Sequence, residues 1–184
     1  MLNIKAHNFL LIVITACAGL YPAPDIYAKS LQQASSSLCD ANERIIFSCK
    51  IKNSTNTLSV CGSQNLSKED GYIQYRFGRN GAIGLEYPAE KEISRSSFLF
   101  SRYTRFQVSR LTFSFSNNNV NYTIFDNYDG ESRPNIKEKG VAISGKGLEN
   151  KNIKLLCDKG ALSNLDDMED IVPCDENLSL GGCR

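Results

Sequence analysis

Six cysteines lie beyond the first 28 residues of this 184-residue chain: Cys39, Cys49, Cys61, Cys157, Cys174 and Cys183. No other feature restricts the possible folds as strongly. The residues ahead of them read as an export signal. A polar start carries Lys5, an apolar run extends from Phe9 to Leu20, and a small-residue exit, Ile26-Tyr27-Ala28, precedes Lys29. Such a run is too short to cross a hydrocarbon core of about 30 Å as a helix. An even number of cysteines in an exported chain implies disulfides rather than metal ligation or catalysis.

The signal has two open exits. Ile14-Thr15-Ala16-Cys17 matches the lipobox of bacterial lipoproteins, in which the cysteine becomes a lipidated N-terminus. Residues 29–38, rich in Ser and Gln, would then be a flexible lead-in from an outer-membrane anchor. Cleavage after Ala28 gives instead a soluble periplasmic or extracellular protein. Either way Cys17 leaves the disulfide count, and residues 39–184 form one domain. The membrane enters only through that possible anchor.

The spacing suggests a pairing. Cys49 and Cys61 are symmetric about Thr55, so a hairpin of Arg44–Ile51 with Thr57–Ser63 would set their sulfurs face to face. Cys174 and Cys183 bracket a polar tail with Gly181-Gly182, which leaves Cys39 for Cys157. Loop closure gives roughly 3, 3 and 5 kcal/mol for these bridges. The rival set, Cys39–Cys49 with Cys61–Cys157, stays open.

The rest of the sequence reads as β. Runs of β-branched and aromatic residues alternate with Gly, Asn, Ser and Asp. The expected strands are 44–51, 57–63, 72–77, 82–87, 97–100, 105–115, 120–126, 140–144 and 152–157. Ile73, Tyr75 and Phe77 share one face of their strand, opposite Tyr72, Gln74 and Arg76. The run 105–115 changes parity: Phe106 and Val108 disagree with Leu111, Phe113 and Phe115. A bulge near Ser109-Arg110 would put all five on the core face. Ser116-Asn-Asn-Asn119 makes a hairpin turn, because Asn tolerates positive φ. A short C-terminal helix is expected, capped by Ser163, with Leu165, Met168 and Val172 inward and Pro173 ending it. The expected architecture is a disulfide-braced antiparallel sandwich or barrel.

Chemistry is narrowed by what the mature chain lacks. The only histidine, His7, belongs to the signal, so neither a Ser-His-Asp or Cys-His arrangement nor a His-ligated metal site can form. No metal or cofactor is expected. Carboxylate chemistry survives, with Glu43, Glu86 and Asp126 at strand edges as its acids, each otherwise a solvated surface group. Removing residues 1–28 takes away Lys5 and Asp25 and leaves the net charge at +1. That balance argues against a nucleic-acid partner.

Charge is nevertheless patterned. Arg95, Arg102, Arg105 and Arg110 lie in a stretch without acids, interleaved with Tyr103 and Phe106. Asp166, Asp167, Glu169, Asp170, Asp175 and Glu176 form an acidic run without a base. The two patches either neutralise each other or meet an oppositely charged partner. The acidic surface suits a cationic wall hydrolase, and the Arg-aromatic surface an anionic glycan or lipid head group.

Several of these residues form a recurring order. Phe47-Ser48-Cys49 is followed by Ser59-Val60-Cys61-Gly62-Ser63, by Gly71-Tyr72-Ile73-Gln74-Tyr75-Arg76-Phe77-Gly78, by Glu86-Tyr87-Pro88 and by Leu155-Leu156-Cys157. The set resembles a group of uncharacterised exported proteins of Gram-negative bacteria. The resemblance covers residues 39–157 and implies a periplasmic or surface β domain, without an activity. The Cys174–Cys183 tail departs from it. Within the block, Tyr72, Gln74 and Arg76 either face solvent as a recognition surface or lie under another element. The expected role is a non-enzymatic binding protein of the periplasm or cell surface. A protein or an envelope glycan is its expected partner. It would act as an inhibitor or immunity protein against a wall hydrolase or toxin. The alternatives are a carboxylate-dependent glycan enzyme and a lipid-anchored structural module.

Overall fold

Alternation of apolar and polar residues builds two five-stranded antiparallel sheets in the computed structural model, which describes residues 37–91, 94–145 and 152–177. The first sheet comprises β1 (Glu43–Lys50), β2 (Thr57–Ser63), β3 (Ile73–Arg79), β4 (Ala82–Tyr87) and a late two-residue strand, β10 (Leu162–Ser163), in the order β10-β1-β2-β3-β4. The second comprises β5 (Leu99–Arg105), β6 (Val108–Asn117), β7 (Val120–Asp129), β8 (Ile136–Gly145) and β9 (Ile153–Leu156), in sequence order. The sheets do not close into a barrel. They meet at one corner, where Ile51 bridges Cys157 and Asp158 N–H donates to the Lys50 carbonyl (2.8 Å).

The inner faces hold the core expected from the period-2 pattern. Phe47, Leu58, Val60, Ile73 and Tyr75 of the first sheet face Phe113, Phe115, Ile124 and Val141 of the second. Phe115 is the hub of an aromatic cluster. It stacks on Tyr87 (centroids 4.5 Å apart) and Tyr122 (4.8 Å) and meets Tyr75 and Phe98 at an angle. Asn118 and Asn119 both take positive φ in the turn between β6 and β7. Gly78 has φ +152°, and a Cβ there would stand 2.6 Å from the Ala82 carbonyl oxygen, so the bulge between β3 and β4 needs a glycine.

The disulfides correct the expected pairing. The bonds are Cys39–Cys61 and Cys49–Cys157. Register is the reason: β1 and β2 set Cys49 opposite Leu58 and Cys61 opposite Ile45. The two sulfurs therefore sit three residues out of step and on opposite faces of the sheet. Cys49 faces inward and joins the two sheets; Cys61 faces outward and holds the entering chain. The rival set is overturned with the first. Cys174 is disulfide-bonded, and Cys183 lies outside the described residues, as does Cys17.

Three local expectations change as well. The run 105–115 is not one strand: Phe106-Gln107 is a tight turn between β5 and β6, with Gln107 at φ +57°. The β5–β6 register runs without a bulge at Ser109-Arg110, so Val108, although buried, lies on the opposite face of β6 from Leu111, Phe113 and Phe115 and outside the core between the sheets. The C-terminal helix is a single 3-10 turn, Leu165–Met168, without a side-chain cap. Ser163 pairs with Phe47 as part of β10 instead of capping it. Leu165, Met168 and Val172 do point inward and are buried. Beyond Pro173 the chain runs beside β5, with Phe100 N–H donating to the Pro173 carbonyl (2.9 Å) and Asp175 N–H to the Phe100 carbonyl (2.7 Å).

Candidate functional site

Tyr72, Gln74 and Arg76 do not form an open surface. The segment entering β1 covers them, fixed by the Cys39–Cys61 bond and by Leu38 N–H donating to Ser59 Oγ (3.0 Å). Gln74 and Arg76 are buried and Tyr72 is half-buried. Arg76 donates to both carboxylate oxygens of Glu43 (2.6 and 3.0 Å), to the Leu38 carbonyl (2.9 Å) and to Gln74 Oε1 (2.7 Å). Gln74 in turn donates to the Pro88 carbonyl (3.0 Å), and Tyr72 donates its hydroxyl proton to Glu43 (2.8 Å). The block is a polar clamp between the entering chain and β3, so Gln74 and Arg76 cannot touch a partner while the clamp is closed.

The same clamp decides the carboxylates. Glu43 is fully buried rather than solvated. Burial alone would raise its pKa, but hydrogen bonds from Arg76, the Asp40 N–H and Tyr72, with the Arg76 charge, hold it below the ordinary value. Held ionised at neutral pH, Glu43 has no proton to give as a general acid there. Glu86 lies 3.8 Å from Arg76, and Asp126 is paired with Lys139. Each acid proposed for glycan chemistry is thus held by a cation. Cys39, Glu43 and Cys61 bring potential metal-ligand atoms within 4.8 Å, but the two sulfurs are bonded to each other and are not thiolates.

The arginine stretch separates into three roles. Arg95 anchors the loop after β2 by donating to the carbonyls of Ser67, Lys68 and Glu69. Arg102 pairs with Asp166 (2.7 Å) and Glu169 (3.1 Å), so the basic and acidic patches neutralise each other there. Asp167 and Asp170 stay exposed. Arg105 grips Glu131 across the β7–β8 loop, with Nη2 2.7 Å from Oε2, and holds the Glu131 pKa below its usual range. Arg110 has no ion pair among the described residues.

Arg105 locks the tip that sequence reading placed in the core. Phe106 is 82 % exposed, the most exposed large hydrophobic side chain described. Its turn is braced by Gly130 N–H donating to the Gln107 carbonyl (2.7 Å). A Cβ at Gly130 would meet the Tyr128 hydroxyl at 2.6 Å, so glycine permits the loop to approach. Tyr103 and Arg110 pair across β5 and β6 on the outer face behind the tip. The signal for the tip was weak: Phe106-Gln107 carries no glycine, asparagine or proline, and only the positive φ of Gln107 marks the turn.

On the inner side of β7 and β8, a cavity of about 570 Å³ lies against the 157–161 loop. Its charges are largely satisfied internally: Lys139 pairs with Asp126, and Lys137 sits over the Tyr128 ring. The molecule is a disulfide-braced, two-sheet antiparallel β protein. No protein-family model, no curated protein and no solved structure matches the chain.

Proposed function

We propose that this chain is an exported, non-enzymatic binding protein of the periplasm or cell surface. It engages a protein partner through the β5–β6 tip, in the manner of an inhibitor or immunity protein against a wall hydrolase or toxin. One observation carries the reading: a bulky apolar side chain stands in water on a turn tied to the β7–β8 loop by the Arg105–Glu131 pair and the Gly130–Gln107 hydrogen bond. A fixed, protruding aromatic costs little entropy to dock and fits the role of a central anchor in a partner's cleft. The disulfides suit an oxidising compartment. The paired carboxylates weigh against the alternative of a glycan-cleaving enzyme.

The test is inhibition of purified wall hydrolases by the protein and by Phe106→Ala. Truncating an exposed side chain leaves stability within about 0.5 kcal/mol. Loss of a central aromatic anchor removes about 2 kcal/mol or more of binding, roughly a 30-fold loss of inhibition. No inhibition by either form refutes the inhibitor role, and equal inhibition by both refutes the tip. Mass spectrometry of the mature N-terminus, showing lipidated Cys17 or free Lys29, decides between anchored and soluble forms.

A further inference from the structure

At the other end of β5 from the tip, roughly 20 Å away at strand rise, lies a second cavity of about 560 Å³. We propose that it binds a neutral saccharide. Its position is independent of the tip, and the two share no residue.

The chemistry of the walls selects the ligand. Ser114 is paired with Thr123, and Ser116 with Asn121, which is paired in turn with Ser144. Lateral partners in a sheet share a face, so these five side chains line one wall with hydroxyl and amide groups. Hydroxyls donate and accept, as do the sugar hydroxyls they would meet. Among the described residues the lining contains no lysine or arginine to offer an anionic ligand a counter-charge. Asp175, the one acid among the described lining residues, is 5 % exposed and disfavours anions further. It accepts from Ser114 Oγ (3.1 Å) and from the Asn177 N–H (3.1 Å). An ionised carboxylate accepts about four hydrogen bonds, which leaves acceptor capacity for sugar hydroxyl protons.

Shape and rigidity agree. Half-buried Tyr87 and Leu99 also line the cavity and give it an apolar side for the C–H face of a pyranose, whereas Phe115 behind them is buried, stacked between Tyr87 and Tyr122. The volume lies within the range of small-ligand sites. Asp175 is already positioned by the backbone bonds between the tail and Phe100, so little ordering remains to be done on binding. The charged cavity of similar size near β7 and β8 lacks this character, because lysines and acids line it.

The experiment is an amide-resolved NMR titration of the protein with diacetylchitobiose, cellobiose, maltose and, separately, inorganic phosphate. At least one disaccharide shifts the amides of Ser114, Ser116, Asn121 and Thr123 and saturates with a Kd of about 1 mM or tighter, and phosphate does not. Ser116→Trp fills the cavity and weakens that binding at least about tenfold, equivalent to 1.4 kcal/mol. Asn121→Trp on the neighbouring strand replaces it if the first variant fails to fold. The proposal is overturned if no disaccharide shifts these amides at about 10 mM, which is far above that Kd. It is overturned equally if the filled variants bind as well as the parent, or if phosphate produces the larger response.

Discussion

Arg76→Met tests the clamp that holds the entering chain. Methionine keeps the length and packing of the arginine stem and removes the charge. Glu43 then stays fully buried with only the Asp40 N–H, the Tyr72 hydroxyl and, at 3.5 Å, Lys91 as partners. Leu38 O and Gln74 Oε1 each lose a donor. Breaking a buried ion pair on one side costs about 3–5 kcal/mol, because the remaining charge is stranded. With a urea m-value of about 2 kcal/mol/M, the midpoint falls by about 2 M. Adding Glu43→Gln to Arg76→Met removes the stranded charge and restores about 2 kcal/mol, so the double variant is more stable than the sum of the singles implies.

The pH dependence gives the sharper readout. In the parent protein the folded-state pKa of Glu43 lies below its ordinary value of about 4.5. Its contribution is therefore complete above that value and is lost as pH falls through the lowered one. In Arg76→Met burial dominates and raises the pKa. The carboxyl then destabilises the fold at neutral pH and the loss is recovered as pH falls through the raised value. Parent and variant should differ most near neutrality and converge on acidification, as measured by urea unfolding across pH. A cost under about 1 kcal/mol with an unchanged pH profile would refute the clamp and make this a solvated surface pair.

Two further outcomes follow from the packing. Removing Cys49–Cys157, whose ends are 108 residues apart, costs about 5 kcal/mol by loop closure, and removing Cys39–Cys61, 22 residues apart, costs about 3. Thermal unfolding of the two double-alanine variants should rank them in that order. Phe115→Ala empties the hub of the aromatic cluster and costs about 3–5 kcal/mol, read by chemical denaturation.

The sequence made some elements legible because one force decided them. The bounds of β2 and β4 follow from alternation between turn residues, and the Asn118-Asn119 turn follows from a backbone preference. Elements decided by non-local partners stayed hidden. The outward row Tyr72, Gln74 and Arg76 looked the same whether open or covered, because the covering segment supplies the Leu38 carbonyl and Glu43 from 38 and 33 residues away. Cys49 and Cys61 looked symmetric in sequence, yet the register set at the turn, with Lys50 opposite Thr57 and Cys49 opposite Leu58, separates them by face. At Phe106 hydrophobicity alone assigned the side chain to the core.

These corrections bear on one another. The chain enters the described domain on the outer face of the first sheet, where Cys39, Leu38 and Arg76 fix it. The tip and the wall of hydroxyl and amide groups at the second cavity belong to the second sheet. A lead-in attached at residue 38 therefore hands over to a point held covalently and by a buried ion pair, on the sheet opposite the proposed binding elements. Loosening the clamp should weaken the fold and free the entering segment before it alters the tip. Arg76→Met assayed below its unfolding transition should accordingly keep the inhibition lost in Phe106→Ala. Loss of inhibition in a folded Arg76→Met protein would instead place the clamp within the binding surface.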